Sequence, residues 1–307
     1  MSSAAIARKP ANDAGLPWTG GAGVVAIFVS AALAVMPTAR QNPMPPWLTA
    51  TIIALGVFFA LKLVSLRGCD LAARGRVLAY VFLWPGMNAR SFLDCSRRET
   101  PRPSPGELAL ALLKLGVGLF AGWWAVTRAS VATPCLVAGV GIFGLLFTFH
   151  FGAFHVTSWF WRRHGVAAPR LMRAPIAATS LAEFWGERWN TAFAELARRF
   201  VLRPLARRAG VNAAGAAVFL LSGLVHELAI SVPARGGWGR PTLYFVLQGA
   251  GVGLEKSRVG RRLGLGRGWR GWSWAVLFTA VPLPLLFHAP LLERVVEPLF
   301  RFLKEVL

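Results

Sequence analysis

Acidic residues are scarce in this 307-residue chain, with 13 Asp and Glu against 34 Lys and Arg and a formal net charge of +21. Charge of either sign is thin at 15% of residues, while 55% are hydrophobic and the mean hydropathy is +0.51. A soluble domain of this length seldom combines so few charges with so much apolar mass. Tyrosine is nearly missing, with two copies beside 21 Phe and 13 Trp. Cysteine is limited to Cys69, Cys95 and Cys135, too dispersed for a disulfide framework or a zinc site. No basic stripe is interleaved with a soluble fold, so the net charge does not point to nucleic acid. Catalytic signatures are missing too. Position 230 is Ile, which excludes HExxH at His226, position 231 is Ser where a histidine–aspartate pair five apart would need Asp, and no GxSxG elbow occurs. No internal repeat of the kind common in transporters is found.

What remains is a series of apolar runs separated by short basic segments. About 20 apolar residues are needed to cross the hydrocarbon core. That rule predicts spans near 21–39, 47–66, 107–127, 132–154, 211–232, 241–255 and 271–289, the sixth short and glycine-rich. The run 77–87 is too short to span and ends at Pro85-Gly86, which predicts a re-entrant or interfacial piece. Segments 1–20, 67–106, 161–210 and 256–270 hold 2, 7, 10 and 6 Lys and Arg, whereas 40–46, 128–131 and 233–240 hold 1, 1 and 2. That asymmetry predicts a cytoplasmic N-terminus, with 1–20 as a polar tail. The expectation is an all-α, polytopic helical membrane protein with about seven spans. It forms one membrane-embedded domain over 1–307, in the bacterial inner membrane, with membrane lipid as its surroundings.

The segment 179–208 is the most informative outside the spans. Ser180 followed by Glu183 reads as a capping box that starts a helix. Trp185, Trp189, Phe193, Leu196 and Phe200 recur at helical spacing, predicting an amphipathic helix in the cytoplasmic interface that ends or bends at Pro204. His226 lies 15 residues beyond Val211, about 22 Å along the next helix, and so deep in the bilayer. Ionisable groups at that depth face a bundle interior or wet cavity and are functional candidates. A buried neutral histidine can accept a proton from a hydroxyl. Glu227, the next residue, points about 100° away and is read as structural. His150 and His155 are five apart, which does not place two ligands on one α-helical face, and no metal site is expected.

The stretch SLAEFWGERWN, followed downstream by LLSGLVHEL, resembles the wax synthase-like branch of the membrane-bound O-acyltransferase superfamily. The likeness rests on Phe184, Trp185, Trp189, Asn190 and His226, within the motif-rich region 180–255, with HFG at 150–152 as a weak addition. The resemblance implies transfer of a fatty acyl group from acyl-CoA, as co-substrate, to a lipophilic alcohol, with no other cofactor. It implies His226 as the base on the acceptor and Asn190 as the group that orients acceptor or thioester. Trp185 and Trp189 would line the acyl passage. Arg188, with Arg198, Arg199 and Arg203, would hold the CoA phosphates. The competing expectation is a transporter or channel in which His226 and Glu227 relay protons or bind substrate; a noncatalytic lipid-binding scaffold is the third.

Overall fold

The computed structural model describes residues 44–94, 102–129 and 132–307. The chain is a polytopic, all-α membrane protein, and no strand occurs among the described residues. Helices α1 (Pro46–Ser65), α2 (Arg74–Leu83) and α3 (Ala89–Leu93) open the described fold. They are followed by α4 (Pro105–Arg128), α5 (Pro134–Arg163) and a short α6 over 181–188. The long α7 (Thr191–Ala234) leads to α8 (Arg240–Lys256), α9 (Arg258–Leu263), α10 (Gly268–Leu286) and α11 (Ala289–Val306). By length and hydropathy α1, α4, α5 and α7 suffice to cross a membrane, and the pair α10–α11, bent by 61°, makes a fifth. α8 runs along its expected position but has 17 residues, about 26 Å at 1.5 Å each, somewhat short of the hydrocarbon core. The span expected at 21–39 lies outside the described residues, as does Cys95.

Two boundaries differ from the sequence pattern. The expected amphipathic helix from Ser180 to Pro204 is broken in the middle: Trp189 is extended and Asn190 adopts the left-handed conformation, with φ 43° and ψ 61°. The apolar stripe keeps its spacing across this break, so periodicity could not reveal it. Pro204 neither ends nor bends the helix. It sits at the start of a helical turn following a π-helical stretch at 198–202, and the backbone instead breaks at Gly210, with φ 82° and ψ 163°. Glycine alone reaches that conformation without cost.

α4 and α5 approach closely on small residues, as membrane helices do in the absence of a hydrophobic drive between them. A methyl group added to Gly144 would lie 2.7 Å from the Gly122 nitrogen, and one on Gly152 would lie 2.7 Å from the Leu115 Cα. Gly118 meets the backbone of Thr148 in the same way. These contacts hold the π-helical turn Leu146–Ala153 of α5 against α4.

The short apolar piece at 77–87 forms α2 and an extended turn, and a buried lysine from α1 holds it. The Lys62 ammonium donates to the carbonyls of Tyr80 (2.8 Å) and Gly86 (2.6 Å) and lies 3.6 Å from the Tyr80 ring centroid. The side chain is fully buried. A cation at this depth is tolerable because its donors are all but consumed by carbonyls and a ring face. Removing it strands two buried carbonyls, each at about 1–3 kcal/mol. Lys62→Met is therefore expected to lower the thermal midpoint in detergent by many degrees, read by loss of the monodisperse elution peak after heating. An unchanged midpoint would show that the turn at 84–88 does not depend on this lysine.

Candidate active site

The helix that carries His226 supplies its own tautomer lock. The His226 Nδ1 lies 2.7 Å from the carbonyl oxygen of Ser222, one turn earlier. A carbonyl only accepts, so Nδ1 carries the proton and Nε2 keeps its lone pair. The ring packs on Phe245 of α8 with centroids 4.4 Å apart, which fixes its plane. Immediately after it the helix widens into a π-helical turn, Glu227–Ser231. Such turns recur at functional sites. Glu227 is turned away: its carboxylate accepts from the backbone nitrogens of Gly239 (2.8 Å) and Thr242 (3.3 Å) and from the Thr242 hydroxyl (2.9 Å). It thus caps the first turn of α8, where the helix dipole favours a negative charge. The costly His-Glu pair is accounted for by one residue facing a cavity and one satisfying a helix end.

Asn190 is fixed by equally local rules. As N-cap of α7 its side-chain oxygen accepts from the Phe193 nitrogen at 3.3 Å. Asparagine is among the few residues that enter the left-handed region readily. Committing Oδ1 to the cap leaves the amide N–H donors without a protein partner among the described residues. The turn is clamped by the loop before α6: Arg173 N donates to Arg188 O at 2.8 Å and Thr191 N to Leu171 O at 3.0 Å.

Arg188 takes part in that clamp. Its guanidinium donates to Glu183 (2.6 Å) and to the carbonyls of Arg173 (3.1 Å) and Ala174 (3.3 Å). It does not line the cavity described below. The capping box is present, with Glu183 N donating to Ser180 Oγ at 2.9 Å, but the Glu183 carboxylate reaches back to Thr179 instead of Ser180. Burial would push the Glu183 carboxyl up, yet the Thr179 donors and Arg188 together hold it below the usual carboxylate range. A depressed carboxylate contributes its stability at neutral pH and loses it as pH falls through the folded value, so the clamp is intact at any pH above the ordinary carboxylate range.

His226, Asn190, Trp185 and Trp189 line one cavity of about 280 Å³ between α1, α5, α6, α7 and α8, whose remaining lining is apolar but for His150 and Ser222. A second cavity of about 200 Å³ shares Trp185, Phe193, Ser222 and Phe245 with the first and runs towards Arg198 and Lys256. A third, about 280 Å³, is edged by Arg90, Arg198, Arg199 and Arg203 and shares Met87 with the first. The first two spaces adjoin at Trp185, and the first and third share Met87. Trp185 stands at its junction because its indole N–H donates to Gln248 (3.2 Å), whose amide donates to Phe278 O (2.8 Å). Sequence reasoning missed Gln248, which is fully buried in α8. The signal available was a lone amide in an apolar helix.

His150, present in the sequence pattern only as part of HFG and as half of a rejected metal pair, lines the same cavity. His155 points elsewhere, 3.0 Å from Glu107, which also pairs with Arg162. Among the described residues no three of His, Cys, Asp and Glu come together as metal ligands.

This stretch of chain has known relatives. Residues 168–247 match the Membrane bound O-acyl transferase family. The match takes in the clamp loop, both tryptophans, Asn190, His226 and Phe245, so the family likeness falls on the cavity walls. The chain is 37% identical over 105 residues to a protein named probable long-chain-alcohol O-fatty-acyltransferase 9 from Arabidopsis thaliana, covering 31% of this chain and 30% of that one. It is 39% identical over 101 residues to the Arabidopsis protein named probable long-chain-alcohol O-fatty-acyltransferase 3, covering 29% and 30%. To the long-chain-alcohol O-fatty-acyltransferase of Simmondsia chinensis it is 35% identical over 91 residues, 26% of each chain. In each case the match spans under a third of the relative's own length. The resemblance read from Phe184 to His226 holds in these comparisons.

Proposed function

We propose that this chain is an acyl-CoA-dependent O-acyltransferase of the membrane, moving a fatty acyl group to the hydroxyl of a lipophilic alcohol, with His226 as the general base. The observation that carries the reading is the Nδ1–H bond from His226 to the Ser222 carbonyl beside a cavity that also holds Asn190. An imidazole whose Nε2 lone pair is held available can take the hydroxyl proton. The alkoxide-like oxygen then attacks the thioester carbonyl carbon, and the carbonyl oxygen becomes an oxyanion that the Asn190 amide N–H groups are placed to receive. The C–S bond breaks, and the CoA thiolate takes the proton back from His226. Apolar walls suit both a fatty chain and a lipophilic alcohol, and they strengthen each polar contact.

The arginine-rich third cavity supports the choice of a phosphate-bearing donor. In this reading it faces the cytoplasm and holds the CoA phosphates, with Arg90, Arg198, Arg199 and Arg203 in that role and Arg188 as a positioning residue. Arg199 is partly committed, donating to the carbonyls of Ser65 (3.4 Å) and Arg67 (2.8 Å), so Arg90 and Arg203 are the cleaner probes. Exchanging both for glutamine is expected to raise KM for acyl-CoA about tenfold or more, roughly 1.4 kcal/mol or above, with little change in kcat. Unaltered KM would remove this cavity from the donor site. The reading as a whole is tested by CoA release from palmitoyl-CoA by purified protein in detergent, with and without a long-chain alcohol. Alcohol-stimulated release is expected. Failure of acyl-CoA even to bind would favour a transport role for the same cavity.

A further inference from the structure

We propose that His150 is a second hydrogen-bond donor in acyl transfer, giving a ring N–H to the acyl carbonyl oxygen as it becomes an oxyanion. The proposal rests on the acyltransferase reading and assigns a residue outside the two motifs that led to it.

Four observations converge on this side chain. His150 lines the cavity that holds His226 and Asn190, entering from α5, a helix that contributes neither of them. Neither of its ring nitrogens has a hydrogen-bond partner among the described residues, and Nδ1 is fully buried without one. An imidazole in any neutral tautomer carries one N–H, so a donor stands here uncommitted. Ser231 Oγ, Trp274 Nε1 and His288 Nε2 are also buried without a partner among the described residues, but of these four residues His150 is the one that lines the cavity with His226 and Asn190, where a ligand can complete the set. His226 offers only a lone pair, and Asn190 has spent its oxygen on the cap.

The backbone holds the ring there by a dedicated device. His150 lies within the π-helical turn Leu146–Ala153, and that turn is packed against α4 through Gly144 and Gly152, with Gly118 opposite. An extra residue in one turn changes which side chains face the cavity, and it separates His150 from His155. The ring also rests near Phe154, with centroids 5.2 Å apart.

The electrostatics behind the ring favour a negative charge in front of it. On its far side His150 borders a small polar space of about 10 Å³, lined also by Lys114, His155 and Arg170. Glu107 is the acidic group facing this cluster, and it is held by Arg162, His155 (3.0 Å) and Arg170 (3.8 Å). Lys114, Arg162 and Arg170 against the one carboxylate of Glu107 leave a net positive charge near the ring, which suits a developing oxyanion.

The test compares wild type with His150→Leu and His150→Gln, each first matched by elution profile and by binding of palmitoyl-CoA. Ester formation from palmitoyl-CoA and a long-chain alcohol is then measured at saturating concentrations of both. His150→Leu is expected to lower kcat about 10²–10³-fold, with KM for either substrate changed less than threefold. His150→Gln, which restores an N–H donor, is expected to recover at least a tenth of the lost rate. A packing role would not discriminate between the two variants. The proposal is overturned if His150→Leu keeps kcat within threefold, if the loss falls on KM alone, or if Gln is no better than Leu. A wild type that binds palmitoyl-CoA and releases no CoA overturns this proposal and the acyltransferase reading together. An active wild type with an indifferent His150→Leu overturns this one only.

Discussion

Replacing His226 with glutamine is expected to lower ester formation about 10²–10⁴-fold, the range lost with a positioned general base. Glutamine suits the test because it leaves the packing intact. Its flat amide can lie against Phe245 as the ring does at 4.4 Å, and its N–H can replace the bond to the Ser222 carbonyl. What it lacks is a nitrogen lone pair that can take the hydroxyl proton. Acyl-CoA binding should therefore survive while turnover does not, and kcat and kcat/KM should fall together, as for an interaction made only in the transition state. Initial rates across alcohol concentrations, with thermal midpoints measured in parallel, check this. A variant that keeps more than a tenth of the wild-type rate would remove His226 as the base.

Asn190 allows fold and chemistry to be separated by choice of substituent. Alanine removes the cap to Phe193 N, worth about 1 kcal/mol, and strains a left-handed backbone at about 1–2 kcal/mol, so a loss of activity there is ambiguous. Aspartate keeps the capping oxygen and tolerates the same conformation, but it has no N–H and sets a negative charge beside the carbonyl oxygen. Asn190→Asp is expected to melt within a few degrees of wild type while losing at least 10²-fold in kcat. Asn190→Gly, which keeps the backbone and loses both cap and amide, should lose the rate and some stability as well. If Asn190→Asp instead retains most of the rate, Asn190 is a helix cap and nothing more.

Hydropathy and the distribution of arginine revealed the class of protein, because membrane helices must satisfy their own backbone within one contiguous segment. His226 stands out as a candidate for a similar reason: an ionisable residue in an apolar helix contrasts with its neighbours. The break at Trp189-Asn190 was hidden by its own pattern. Trp185, Trp189 and Phe193 keep a four-residue spacing whether or not the backbone between them is helical. Pro204 suggested a bend that occurs at Gly210, since a proline at the beginning of a helical turn needs no kink. The resemblance implies Arg188 as a phosphate ligand from its place beside the motif, whereas its partners, Glu183 and two carbonyls of the preceding loop, are visible only in the fold. The spacing of His150 and His155 speaks only to a shared metal on an α-helical face, and nothing in it shows that His150 sits in a π-helical turn beside the cavity. The partners of Lys62, Gln248 and Glu107 are not visible in the sequence because they lie on other elements of the fold.

The central claim, that the hydroxyl oxygen of an alcohol attacks the acyl carbon beside His226, is tested most directly by isotope. Purified protein in detergent is given palmitoyl-CoA and a long-chain alcohol carrying ¹⁸O in its hydroxyl, and the product is analysed by mass spectrometry with CoA release followed in parallel. The account predicts an ester that retains the ¹⁸O in its bridging position, formed one for one with free CoA. Free CoA with palmitate and no labelled ester, or labelled ester with no CoA released, would contradict it.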